Sequence, residues 1–129
     1  MKNELINKAM SAREHAYAPY SGFKVGAAIL CGDGTVISGF NIENVSYPAT
    51  MCAERTALYS ALAQGKRDFK AIAIIGSSKE PCYPCGVCRQ VFAEFCDKNF
   101  VFYICSEDGS FVEKTFEEIM PFTFSFTTN

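Results

Sequence analysis

The sequence contains no tryptophan and a single histidine, His15. His15 follows a polar helical stretch, so it reads as a surface residue rather than a ligand or a base. No run of Lys or Arg exceeds two residues, and the formal net charge is −2. A protein that grips a phosphate backbone needs a basic stripe, so nucleic acid is excluded as the main partner. No apolar run is long enough to cross a bilayer. The longest tight one is "AIAII" at 71–75, against about 20 residues for a spanning helix. The N-terminal "MKNELINKAM" lacks the apolar core of a signal peptide, and the expectation is a cytoplasmic protein with no membrane partner. Internal repeats, low-complexity tracts and linkers are also missing. Residues 1–129 have the length of one ordinary domain and are expected to form a single one.

Hydrophobic residues, by contrast, make up 49% of the chain and include 12 phenylalanines, enough for a core without staples. Seven cysteines are present. An odd number, clustered, in a reducing compartment points to metal or chemistry rather than disulfides.

Patterning places these residues on elements. Leu5, Ile6, Ala9 and Met10 fall at helical spacing and predict a helix over 3–15. Pro19 and Gly22 punctuate the loop that follows. Residues 23–31 and 35–41 read as two strands around "GDG", a hairpin. A helix begins near Cys52 and ends at Gly65. Residues 70–76 form a continuous apolar run, the pattern of a strand buried on both faces. A helix is predicted over 85–97, a buried strand over 100–105, and a short final strand at "FVEKT". Thr115 and Glu118 have capping-box spacing before a last short helix that Pro121 stops. The order implies a three-layer α/β/α sandwich with a mixed five-stranded sheet. The hairpin supplies an antiparallel pair, and the later crossovers favour parallel pairs.

The chemistry centres on "CAER" (52–55) and "CYPCGVCRQ" (82–90). Cys85 and Cys88 sit at i and i+3 at a helix start, on one face. Cys82 lies on the loop side of Pro84, not aimed with them. Cys52, at another helix start, is the remaining candidate partner. Helix N-termini carry partial positive charge and stabilise thiolates. Three thiolates leave a zinc coordination position open, as in catalytic sites, whereas a fourth from Cys82 would close it. The fourth cysteine of an iron–sulfur run is missing; Phe92 stands there. Glu54, two residues after Cys52, can stand beside the metal without binding it and move a proton. Three thiolates on Zn²⁺ leave a charge of −1, which Arg55 can offset by hydrogen bonding to the ligand sulfurs. Arg89 and Gln90 read as helix surface or as packing near the metal. Cys31, Cys96 and Cys105 read as small core residues.

Taken together, "CAERTA" (52–57), "PCGVCRQ" (84–90), "AYAPYSGFKVGAA" (16–28) and "NIEN" (41–44) resemble the zinc-dependent cytidine deaminases in their small, homotetrameric, single-domain form, and the likeness covers most of the chain. The wider deaminase signature has a ligand two residues before the Glu and then P-C-x-x-C. The resemblance implies one Zn²⁺ per subunit, held by Cys52, Cys85 and Cys88, with Glu54 as proton shuttle; Arg55 and Gln90 are expected beside the ligands on the charge and packing grounds above. It implies hydrolysis of the small nucleosides cytidine and deoxycytidine to uridine and deoxyuridine, with release of ammonia, in pyrimidine salvage. Asn41 and Glu43 match residues that hold the ribose hydroxyls, and Phe23 an aromatic at the pyrimidine. The Ala53 amide matches the donor to the base carbonyl. Tyr47 and Phe124 match aromatics that reach a neighbouring subunit, which implies a homotetramer with composite active sites. Tyr83 stands where the family commonly has a small residue.

Overall fold

The computed structural model describes residues 1–126. Its elements are α1 (Lys2–Arg13), β1 (Gly26–Cys31), β2 (Val36–Phe40), a single 3-10 turn at Tyr47–Ala49, α2 (Ala53–Ala63), β3 (Phe69–Ile75), α3 (Gly86–Ala93), β4 (Val101–Cys105), β5 (Phe111–Thr115) and α4 (Phe116–Ile119). The five strands form one sheet in the order β2-β1-β3-β4-β5. Only β3 and β4 are parallel. β1 pairs antiparallel with both β2 and β3, and β5 returns antiparallel to β4. The sheet is therefore mixed, as expected, with fewer parallel pairs than the crossovers suggested. The "SEDGS" turn is short enough to join β4 to β5 as a hairpin.

Strand periodicity of two sends alternate side chains to opposite layers. On β3, Ile72 and Ile74 join Ala57, Leu58 and Ala61 of α2 and Phe92 of α3 in one core. Ala71, Ala73 and Ile75 face Leu5, Ile6 and Ala9 of α1 in the other. Both faces of β3 are covered, which is why its sequence is continuously apolar. Small residues set how closely the helices approach. A Cβ on Gly26 would lie 2.0 Å from the Ala9 carbonyl oxygen, and one on Gly39 would lie 2.5 Å from the Ala57 nitrogen. Glycine at these two positions lets α1 rest on β1 and α2 on β2.

Two elements are shorter than predicted, β1 at its start and α3 at its end. Residues 23–25 do not join β1. The Asn41 side chain takes up the Phe23 carbonyl and the Val25 amide, and Ser77 brackets both backbone groups of Lys24. These side chains take the place of ladder hydrogen bonds at residues 23 and 24 and at the Val25 amide, while the Val25 carbonyl still accepts from the Asn41 amide at 3.2 Å. α3 stops at Ala93 rather than 97. Asp97 accepts from the Asn99 amide, turning the chain toward β4. At the C-terminal end, Thr115 and Glu118 form the capping box of α4.

α3 is fixed by its phenylalanine. Phe92 packs against Phe100 and Phe102, each at 5.8 Å between ring centroids, and all three are at most 1% exposed. Each such ring stabilises the fold by roughly 1.5–3 kcal/mol. That anchor holds the α3 N-terminus, with Cys85 and Cys88, against the end of α2.

Candidate active site

The loop after β3 leads into α3, and α2 lies beside α3 on the same layer. The site forms beyond the carboxyl end of a parallel strand, a common place for function in α/β folds. Cys52 is the N-cap of α2 and Cys85 the N-cap of α3. The Cys85 sulfur accepts from the Cys88 amide at 3.4 Å, so one cysteine caps the helix that carries the next. Cys52 and Cys85 sulfurs are 3.9 Å apart, and Cys85 and Cys88 sulfurs 3.4 Å. All three lie within 4.8 Å of one another, the one group of three or more potential metal ligands among the described residues. Tetrahedral Zn–S bonds of about 2.3 Å would place sulfurs roughly 3.8 Å apart. The thiol set and its spacing fit one Zn²⁺ per chain. Cys82 stands outside the cluster. Its sulfur packs beside Gly76 and the Phe23 ring, and burial pushes its thiol up to about 12.

Electrostatics favour thiolate at the α2 end. The Cys52 thiol is pushed down to about 5 by hydrogen bonding with Cys88 and with the Arg55 guanidinium, against burial that raises it. Cys88 shifts upward as the donor in the same pair. Arg55 Nη2 donates to the Cys52 sulfur at 3.3 Å, and its Nε is buried without a hydrogen-bond partner among the described residues. Arg55→Ala is therefore expected to keep zinc and lower kcat by about 10–100-fold. Zinc content and steady-state kinetics measured on one preparation check this, and unchanged kinetics would refute it.

Glu54 is the one buried charged residue among those described, at 5% exposed. Burial pushes its carboxyl up to about 7, with the Cys52 charge adding to the effect. It lines a cavity of about 190 Å³ together with Val25, Asn41, Ala53, Cys82 and Tyr83. Cys52 and Cys85 open onto the same space, and Ala53, as the first residue of α2, has an amide outside the helix's own ladder. Thr50 is shared with a neighbouring groove of about 420 Å³ that Tyr20, Ser21, Glu43, Asn44 and Tyr47 line. The sequence-predicted residues thus divide. Asn41, Cys52, Ala53, Glu54 and Cys85 meet at the cavity, and Cys88 completes the thiol cluster behind it. Glu43 and Tyr47 belong to the groove, and Phe23 lines neither space, its ring lying next to Gly76 as the Cys82 sulfur does.

Phe124 and Gln90 line neither space; the Gln90 side-chain amide donates to the Phe124 carbonyl at 3.1 Å. Arg89 donates to the Pro84 and Ile119 carbonyls and so pins the loop ahead of Cys85. Sequence reading missed Val25, Thr50 and Met51, which reach the cavity because Ile42 bridges Tyr17 and Met51. It also gave no sign that Tyr20 and Ser21 would meet Glu43. No local pattern announces such pairings.

Three thiols at two helix N-termini, with a buried carboxyl beside them that stands outside the ligand set, are the arrangement of a zinc-dependent hydrolytic enzyme. The family model of the cytidine and deoxycytidylate deaminase zinc-binding region matches residues 1–104. A cytidine deaminase of Halalkalibacterium halodurans is 51% identical over 121 residues, spanning 94% of this chain and 92% of its own. A cytidine deaminase of Sporosarcina psychrophila is 48% identical over 122 residues, 95% and 90% of the two chains. The crystal structure of the cytidine deaminase from Burkholderia pseudomallei matches with a TM-score of 0.92 at 45% identity, covering 96% of this chain and 99% of that one. The chain belongs to the cytidine and deoxycytidylate deaminase family, and the enzyme is a hydrolytic deaminase.

Proposed function

We propose that the protein hydrolyses cytidine and deoxycytidine to uridine and deoxyuridine with release of ammonia, as a nucleoside salvage enzyme of the cytoplasm, residues 1–129 acting as one domain. The observation that carries this reading is the Glu54 carboxyl, 5% exposed, on a cavity shared with Cys52 and Cys85. Zinc held by Cys52, Cys85 and Cys88 supplies Lewis-acid activation of a water at neutral pH.

The chain's residues do the rest. Glu54, with a carboxyl near pH 7, takes a proton from the attacking water and passes it to the pyrimidine N3. The water oxygen bonds to C4; its remaining proton then passes through the same carboxyl to the amino group as the C4–N bond breaks, leaving a C4 carbonyl and ammonia. A group titrating near the working pH is suited to both transfers. The Ala53 amide, at the positive end of α2, donates to the base carbonyl. Asn41 and Glu43 hold sugar hydroxyls, and Phe23 flanks the pyrimidine. Tyr47 is 77% exposed and Phe124 66%. Exposed aromatics at these two positions support a homotetramer in which each reaches a neighbouring subunit's site.

Ultraviolet loss of cytidine and of deoxycytidine, followed with the wild-type protein, tests the substrate assignment. Turnover of both is expected; turnover of neither would overturn it. Among the described residues no helix is long and apolar enough to cross a membrane.

A further inference from the structure

We infer that Ser21 is a positioning residue that holds Glu43 so that the enzyme reads one sugar hydroxyl through it. The inference rests on the proposed reading of Glu43 as a sugar ligand. Glu43 extends from the segment after β2 to the loop after α1, and that loop occupies most of its hydrogen-bonding capacity. Its Oε1 accepts from the amides of Tyr20 at 3.0 Å and Ser21 at 3.1 Å. Its Oε2 accepts from the Ser21 hydroxyl. A carboxylate offers about four acceptor positions. Three are taken, and the fourth, on Oε2, is left for a ligand in the groove that Ser21 and Glu43 line.

The Ser21 hydroxyl has one proton, and Glu43 takes it. Its oxygen accepts from the Phe23 amide at 2.9 Å, so the hydroxyl cannot rotate away without losing both bonds. Phe23 is held in turn by its carbonyl, which accepts from Asn41 Nδ2 at 2.9 Å. Ser21 therefore joins the three residues proposed to meet the nucleoside. It sets the angle of the Glu43 carboxylate and, through Phe23, ties that angle to the position of the base. The same bonds hold the Glu43 carboxyl below its ordinary range, Ser21 being the main cause, which keeps it an acceptor.

Kinetics of the zinc-loaded enzyme with cytidine and with 2′,3′-dideoxycytidine test this. Ser21→Ala is expected to lower the ratio of kcat/KM for cytidine to that for the dideoxynucleoside by about tenfold, chiefly through KM, with zinc content unchanged. Ser21→Thr, which keeps the hydroxyl, is expected to restore the ratio. Equal losses with both substrates would mean general damage to the loop and would overturn the proposal, as would an unchanged ratio. Glu43→Gln separates the two levels. If it raises KM for cytidine and Ser21→Ala does not, only the role of Ser21 falls. If Glu43→Gln leaves KM for cytidine unchanged, the sugar reading of Glu43 falls and the role of Ser21 with it.

Discussion

Glu54→Gln is expected to lower kcat by about 10²–10⁴-fold, the usual contribution of a positioned acid–base group, while zinc stays bound. Glutamine matches the volume of the carboxyl, so the cavity keeps its shape. The three thiols are placed by the backbone, Cys52 and Cys85 at two helix N-caps and Cys88 on α3, and the Gln side chain can still hydrogen-bond the Cys88 thiol as the Glu54 carboxyl does. Stability provides an independent readout. Burial holds the Glu54 carboxyl at about 7, against an ordinary value of 4.5. A carboxyl raised in this way binds its proton more tightly in the folded chain than in the unfolded one. Folding is therefore unpenalised below pH 4.5, loses stability as pH rises toward 7, and carries a constant penalty above that. An amide does not ionise. Thermal unfolding of the zinc-free proteins should thus show Glu54→Gln losing less stability than wild type between those two pH values. Activity within tenfold of wild type, or loss of zinc together with activity, would contradict the proton-transfer role.

Cys85→Ser should remove zinc binding and activity together. Serine is a good N-cap, so it can still accept from the Cys88 amide and keep the α3 N-terminus formed. It does not supply the thiolate. Residues that merely support metal ligands change metal affinity by about 10–100-fold, so loss of a ligand itself should exceed that. Cys82→Ala is the contrasting variant, because Cys82 lines the cavity but lies outside the thiol cluster. It should retain wild-type zinc content. A ligand that binds only the folded state raises the unfolding temperature with its concentration. Added zinc should therefore raise the unfolding temperature of wild type and Cys82→Ala, and leave that of Cys85→Ser nearly unchanged. Equal zinc loss in Cys82→Ala and Cys85→Ser would point to four thiolates and a closed site.

The parts of the fold that local chemistry dictates were legible in the sequence. Continuous apolar composition marked β3, the Thr115–Glu118 spacing marked the cap of α4, and Gly65, with φ of 86°, marked the end of α2. Boundaries set by distant side chains were not legible. The start of β1 moved to Gly26 because Asn41 and Ser77 engage the backbone of residues 23–25. At the site the division is the same. Asn41 and Glu43 look like turn residues in the chain. Their significance comes from the loop they hold, which is separate in sequence.

The sequence by itself determined the reactive groups and their local phase: thiols at i and i+3 on one helix face, a further thiol at another helix start, and a carboxyl two residues beyond it. Helical geometry requires no more than neighbouring residues. Only the tertiary structure decided that Cys52 meets Cys85 and Cys88 while Cys82 turns to Gly76 and Phe23, that Glu54 is shut away from water, and that Ser21 closes on Glu43. Those outcomes depend on how two helices and two loops pack over one sheet. Burial and long-range contact, not residue type, set which thiol stays apart and how far a carboxyl's proton affinity moves.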